Sequence, residues 1–193
     1  RRRAVGLPRQ GGSRLDPRIG VYWTGEEICA REFSPGHLAR VSDALRRKPT
    51  LWDNYPVNDG PNMSRHLHLR AFTGRPSVIG PYLAAHAINP ALQPHLSLIP
   101  AATLVACYHE GPAYGYMNAF REAARSAAGA ELAEMLEVDL HALQDRGIDQ
   151  LGDDRERLRR RYAAVAHPIA AEVVRWLDGA DTVDRWVEDA RAT

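Results

Sequence analysis

Apolar positions along this chain change their spacing near Pro94. Before it, short β-branched and aromatic runs flank one helical stretch; after it, helical periodicity continues almost to the end. Residues 18–25 are rich in β-branched and aromatic side chains and close on a glycine, which predicts a strand. Ser34 and Pro35 then open a helix, with serine in the N-cap position and proline at the first helical position. Leu38, Val41, Ser42 and Leu45 fall on one face of it, and Pro49 stops it. Residues 50–55 form a second short strand that runs into a loop at Pro56. Strand, helix and strand in this order make a βαβ unit, which predicts a parallel sheet or barrel rather than hairpins.

From Val57 to Arg75 the chain is polar and punctuated by Gly60, Pro61 and Gly74. A loop of that length inside a compact domain is usually functional or disordered. A helix over 77–85 and a third short strand over 87–90 follow. Helical spacing then covers 97–109, 112–127, 129–146, 153–166 and 168–178, and a last helix starts at Asp181 with Val183, Trp186 and Val187 on one face. Residues 1–17 are rich in Arg, Gly and Pro and read as a loop, with Arg1 to Arg3 as a solvated basic start.

The composition is that of a globular chain: 45% of the 193 residues are hydrophobic and 25% charged. A formal net charge of +1 gives no basis for broad attraction to nucleic acid or to a membrane surface. No apolar run is long enough to span a bilayer. No signal peptide is visible, although the chain does not begin with Met and has the pattern of a piece of a longer protein. Cys29 and Cys107 are not in a CxxC pair, so zinc and redox-motif readings lack their spacing; a reduced, cytoplasmic compartment is the default.

The densest chemical signal is the run from Leu51 to Asp59, which places Trp52, Asn54, Asn58, Asp53 and Asp59 at and just beyond a strand end. Loops at the carboxyl ends of parallel strands converge on ligands. A flat aromatic, amides and a carboxylate also suit a sugar, whose ring face stacks and whose hydroxyls exchange hydrogen bonds. The competing reading is turn chemistry, which uses the same Asn-Asp-Gly residues. His66 and His68 would share one face of a strand, but no third ligand has metal-site spacing, and a polar loop accounts for them. Asp153-Asp154 opens a helix whose later turns hold Arg157, Arg159, Arg160 and Arg161, the order a helix dipole favours. Tyr116, Met117 and Phe120 are expected to pack helices, and Trp176 and Trp186 to anchor the helical core.

Tyr-Trp-Thr-Gly at 22–25, Arg-Lys-Pro at 47–49, Trp-Asp-Asn at 52–54 and Asn-Asp at 58–59 resemble the late part of the O-GlcNAcase family, glycoside hydrolase family 84. The segment 69–75, ending in Gly-Arg, and Asn89-Pro90 extend the resemblance, which covers about 18–110. It implies an α/β fold: the last three β/α units of a (β/α)8 TIM-type barrel over 1–96, then an α-helical bundle domain over 97–193. The implied strands are 18–25, 50–55 and 86–89, with the N-terminal barrel segment lying outside this chain. A full barrel takes about 250 residues, which agrees.

The implied activity is β-N-acetylglucosaminidase: removal of terminal β-linked GlcNAc from a glycoside, glycan or glycoprotein by substrate-assisted retaining hydrolysis. The substrate's own N-acetyl oxygen attacks the anomeric carbon; one Asp of an adjacent pair orients it, and the other serves as acid and then base. That pair belongs to an earlier strand, so no catalytic residue is assigned here, and Asp153-Asp154 is not the pair. By resemblance Asp59 accepts hydrogen bonds from the 4- and 6-hydroxyls, Asn89 binds a sugar hydroxyl, Asn54 lies beside the acetamide, Trp52 forms the aromatic wall and Ile28 lies near the leaving group. Gly60 departs from the family, where Tyr is frequent, which puts aglycone contacts in doubt. No cofactor or metal is implied, and homo-oligomerisation stays open. A hyaluronan-degrading or hexosaminidase-like hydrolase would need the same acetamide pocket. The alternative of another class is a non-catalytic carbohydrate-binding or helical interaction module.

Overall fold

The computed structural model describes residues 15, 16 and 18–183. Arg1 to Arg3, Trp186 and Val187, and with them the expected basic start and most of the last helix, lie outside the described residues. The chain forms two compact units that interleave along the sequence. The first comprises residues up to Tyr55, Phe72–Asn89 and Leu104–Tyr116; the second comprises Pro56–Ala71, Pro90–Thr103 and the chain from Met117 onward.

The first unit is built on a three-stranded sheet, β1 (Tyr22–Trp23), β2 (Thr50–Asp53) and β3 (Ala85–Ile88), in that order. Both pairings are parallel, with Tyr22 opposite Thr50 and Trp52 opposite Ala87, as the βαβ pattern predicts. α1 (Pro35–Leu45) connects β1 to β2. Its local signals hold: Ser34 Oγ accepts from the His37 N–H at 3.2 Å, and Pro35 occupies the first turn. Arg46 ends it in the left-handed region at φ 52°, donating to Asp43, three residues before the expected stop. Leu38, Val41 and Leu45 bury against Trp23, Leu51 and Ile79. Each such fully buried side chain contributes about 1.5–3 kcal/mol.

β1 is much shorter than the predicted 18–25. Within that range the Ile19 carbonyl accepts from the Arg47 guanidinium at 2.7 Å instead of from a strand partner. The predicted helix over 77–85 is instead a 3-10 turn, Ser77–Tyr82, with Pro81 inside it. Proline lacks the N–H that an α-helical ladder would need there, and the chain re-enters the sheet at Ala85.

α2 (Pro94–Glu110) starts in the second unit and ends in the first. The second unit also holds α3 (Tyr116–Ala128, from Met117), α4 (Ala130–Leu140), α5 (Asp154–Ala163) and α6 (Pro168–Leu177). A π turn, His141–Arg146, continues α4. Phe120, Leu136, Leu143, Tyr162, Val173 and Trp176 form its core. Tyr116 is 51% exposed, so it does not pack helices as expected, whereas Phe120 is buried. The segment 56–71 is irregular yet tied down. Leu67 and Leu69 are buried, and Gln144 Oε1 accepts from the Leu69 and Arg70 N–H groups, both at 2.8 Å. Trp176 Nε1 donates to Ser64 O at 2.9 Å, which gives its buried polar edge a partner. Glu172 caps α2 from α6, its carboxylate accepting from His95 N and Leu96 N. No helix among the described residues is long and apolar enough to cross a membrane.

Candidate functional site

Strand alternation divides the carboxyl end of β2 between two faces. Leu51 and Asp53 point into the core and are almost fully buried; Trp52, between them, is 37% exposed. On the exposed face Trp52 meets Tyr22 of β1 edge-on, with ring centroids 5.7 Å apart. Its indole Nε1 donates to Asn54 Oδ1 at 3.0 Å. Asn89, just past β3, donates from Nδ2 to the same oxygen at 3.2 Å, and its backbone N–H donates to Asp53 O at 2.9 Å. Asn54 Nδ2 donates to Ile28 O at 2.7 Å. An indole N–H can only donate and a carbonyl can only accept, so these partners fix which way the Asn54 amide faces. The sheet thus gathers Trp52, Asn54, Asn89 and the Ile28 backbone into one half-exposed cluster, with the Ile28 side chain 68% exposed.

Beneath that cluster lies a buried ionic network that the sequence reading did not identify. Arg75 grips Asp53 with two parallel bonds, Nε to Oδ2 and Nη2 to Oδ1, both 2.7 Å. His86 Nε2 lies 3.1 Å from Asp53 Oδ2, and His86 Nδ1 lies 2.8 Å from the Tyr108 hydroxyl. Burial opposes ionisation of Asp53, but the Arg75 and His86 hydrogen bonds and the Arg75 charge outweigh it and hold the carboxyl below its usual range. Burial pushes the Tyr108 phenol up to about 12, with the neighbouring Cys107 and Asp53 adding to it. A phenol so held keeps its proton and can donate to Nδ1. With Nδ1 accepting from that hydroxyl, Nε2 of the same ring is the atom left to donate to Asp53. One signal for this network was available: in Trp-Asp-Asn, period-two alternation sends the Asp inward whenever the Trp faces out, and an inward carboxylate needs a cation.

Asp59 belongs to the second unit, and Trp52, Asn54, Asn89 and Ile28 belong to the first. It is exposed and has no hydrogen-bonding or ionic partner among the described residues. Its neighbour Asn58 is the opposite: fully buried, donating to His66 O and Gln93 Oε1 and accepting from Leu92 N–H. Gly60 follows, and its carbonyl accepts from Ser64 N–H at 2.8 Å to start a tight turn. A Cβ at position 60 would meet only Met63 Sδ, at 3.9 Å, so crowding does not require a glycine there.

His66 and His68 are not on a strand, and each ring Nδ1 is engaged with a backbone carbonyl, Gln144 O at 2.8 Å and Pro56 O at 3.0 Å. Among the described residues no group of three or more His, Cys, Asp or Glu side chains could hold a metal ion. Asp153 and Asp154 stand at the start of α5, where Asp154 pairs with Arg146 and Arg157 at 2.8 Å each. Cys29 is exposed and Cys107 buried, and neither is in a disulfide.

The family model for β-N-acetylglucosaminidase matches residues 7–140, most of the chain. The protein O-GlcNAcases of Rattus norvegicus and Mus musculus are each 30% identical to it over 100 residues. That stretch is 52% of this chain and 11% of those proteins, so the chain spans about a tenth of their length. Among solved structures, an O-GlcNAc hydrolase variant from Thermobaculum terrenum superposes with a TM-score of 0.67 over 87% of this chain and 43% of that one. At 24% identity this supports the shared fold. With the family model matching well over half of its length, the chain belongs to the O-GlcNAcase-type β-N-acetylglucosaminidase family of glycoside hydrolases.

Proposed function

We propose that this chain supplies part of the sugar pocket of a β-N-acetylglucosaminidase that removes terminal β-linked GlcNAc from glycans or glycoproteins. In this reading residues 1–96 are the last β/α units of a (β/α)8 barrel, and 97–193 form a helical domain. The Trp52–Asn54–Asn89 arrangement supports it. Asn54 uses both lone pairs and one N–H internally, which leaves its second N–H without a partner among the described residues. An N–H donor beside a half-exposed indole face suits an acetamido sugar, whose carbonyl accepts and whose ring stacks. Trp52 is the wall, Asn54 borders the acetamide, Asn89 binds a hydroxyl, Ile28 lies toward the leaving group, and Asp59 accepts from the 4- and 6-hydroxyls.

Hydrolysis proceeds with substrate assistance: the acetamide oxygen displaces the leaving group and forms an oxazoline, and water then opens it with retention. The Asp pair that orients the acetamide and transfers the proton lies on a barrel strand outside these residues. Without it the leaving oxygen departs unprotonated, and general acid–base help is worth about 10²–10⁴ in rate. The test is to assay this chain, and then the same chain joined to its upstream sequence, on a chromogenic β-GlcNAc glycoside. Turnover by the long form alone is expected. Equal turnover by the short form would overturn the placement of the acid. A long form with no turnover would favour a non-catalytic carbohydrate-binding module.

A further inference from the structure

We propose that Arg75 is a positioning residue for the sugar site: it locks the carboxyl end of β2 to the segment carrying Ile28, and so sets the orientation of the Asn54 amide. This rests on the sugar-site reading above. All five guanidinium N–H groups are engaged. Nε and one N–H of Nη2 hold Asp53, and the other N–H of Nη2 donates to Ala30 O at 3.0 Å. Nη1 donates to Arg31 O and Thr73 O. The guanidinium carbon lies 5.1 Å from the Phe33 ring centroid and 5.6 Å from that of Phe72, so the fork is held on its faces as well as its edges.

The connectivity gives the clamp its consequence. Asp53 stands between Trp52 and Asn54, and Ala30 and Arg31 follow Ile28 by two and three residues. One rigid side chain therefore fixes the separation across which Asn54 Nδ2 reaches Ile28 O. That bond turns the amide so that Oδ1 faces Trp52 and Asn89. The far end of Arg75 is itself fixed: Gly74, at φ 72°, accepts from Phe33 N–H, and Arg75 O accepts from the Cys107 thiol at 2.8 Å. Buried ion pairs contribute little net stability because desolvation offsets their attraction, whereas their directionality is retained. A five-donor fork buried beside half-exposed amides is suited to orientation.

Arg75→Lys separates the two properties. It keeps a cation for Asp53, but one ammonium cannot span a carboxylate and three carbonyls. We expect R75K to melt cooperatively while the NMR signals of the Trp52 indole N–H and the Asn54 side-chain amide move more than the methyls of Leu38 and Val41 in the same unit. Free GlcNAc should bind about tenfold more weakly, the effect of one weakened hydrogen bond. If R75K does not melt cooperatively, the uncharged pair Asp53→Asn with Arg75→Gln carries the same expectation. Trp52 and Asn54 signals at their wild-type positions, or displaced no more than the Leu38 and Val41 methyls, would overturn the assignment. If neither the wild-type chain nor the same chain joined to its upstream sequence binds GlcNAc, the sugar reading fails, and the NMR comparison still decides the role of Arg75.

Discussion

Asn58 and Asp59 are adjacent in the chain and opposite in environment. The amide is wholly buried and joined to His66, Gln93 and Leu92; the carboxylate is exposed. The buried residue anchors the turn that presents the exposed one. Sequence inspection singled out Asp59, but the conformation of its loop is set by its neighbour.

Asn58→Ala should therefore destabilise the second unit. It strips partners from the buried Gln93 amide oxygen and from the part-buried His66 carbonyl and Leu92 N–H, where a fully buried group left unpaired costs about 1–3 kcal/mol. After partial relaxation a loss of roughly 2–4 kcal/mol is expected, read as a lower urea midpoint. A midpoint unchanged from wild type would mean that the loop is held by other contacts.

Two glycines in the same unit should respond in opposite directions. At Gly147, φ is 70° and a Cβ would lie 2.6 Å from Arg65 O and from the His66 ring, so Gly147→Ala should be destabilising by more than about 1 kcal/mol. At Gly60 a Cβ finds ordinary space, and Gly60→Ala should be neutral or stabilising by up to about 1 kcal/mol through a less flexible unfolded chain. Thermal melts of the two variants decide it, and a reversed order would refute the turn geometry.

Acid should weaken the protein in two separate windows. Burial holds the His68 imidazole below its ordinary value of 6.5, with its backbone hydrogen bonds acting in the other direction. A depressed folded value means that its stabilising contribution is complete above 6.5 and is lost as pH falls from there. Asp53, held below its ordinary value of 3.8, keeps its contribution down to that pH and loses it only on further acidification. His68→Gln keeps a donor for Pro56 and should flatten the first window alone. Urea midpoints measured for both proteins between pH 7 and about pH 5 provide the check. Parallel curves for the two proteins would contradict it.

What was readable in the sequence was local. α1 was legible because its Ser34 cap, its Pro35 and its Leu38–Val41–Leu45 face all lie within a dozen residues. The parallel order of the strands followed from the helix between the first two. The length of β1 was not legible, because the carbonyl of Ile19 is taken by Arg47, 28 residues further along the chain. Nor was the partner of Asp53, since Arg75 lies 22 residues downstream in a segment that reads as loop. The Trp52–Asn54–Asn89 cluster was readable only as short words in a family order; the hydrogen bonds that join them belong to the sheet. Asp59 was singled out by the same words and stands in the other compact unit.

The central claim is that these residues recognise a GlcNAc ring, and Asp59→Ala tests it most directly. In the polypeptide that hydrolyses an aryl β-GlcNAc glycoside, kcat/KM should fall by about two orders of magnitude or more. That is the expected loss of two hydrogen bonds to a charged group at about 1.5–3 kcal/mol each. Because Asp59 is exposed, the melting temperature should stay near that of wild type. An unchanged kcat/KM in a folded variant would contradict the assignment of the sugar pocket.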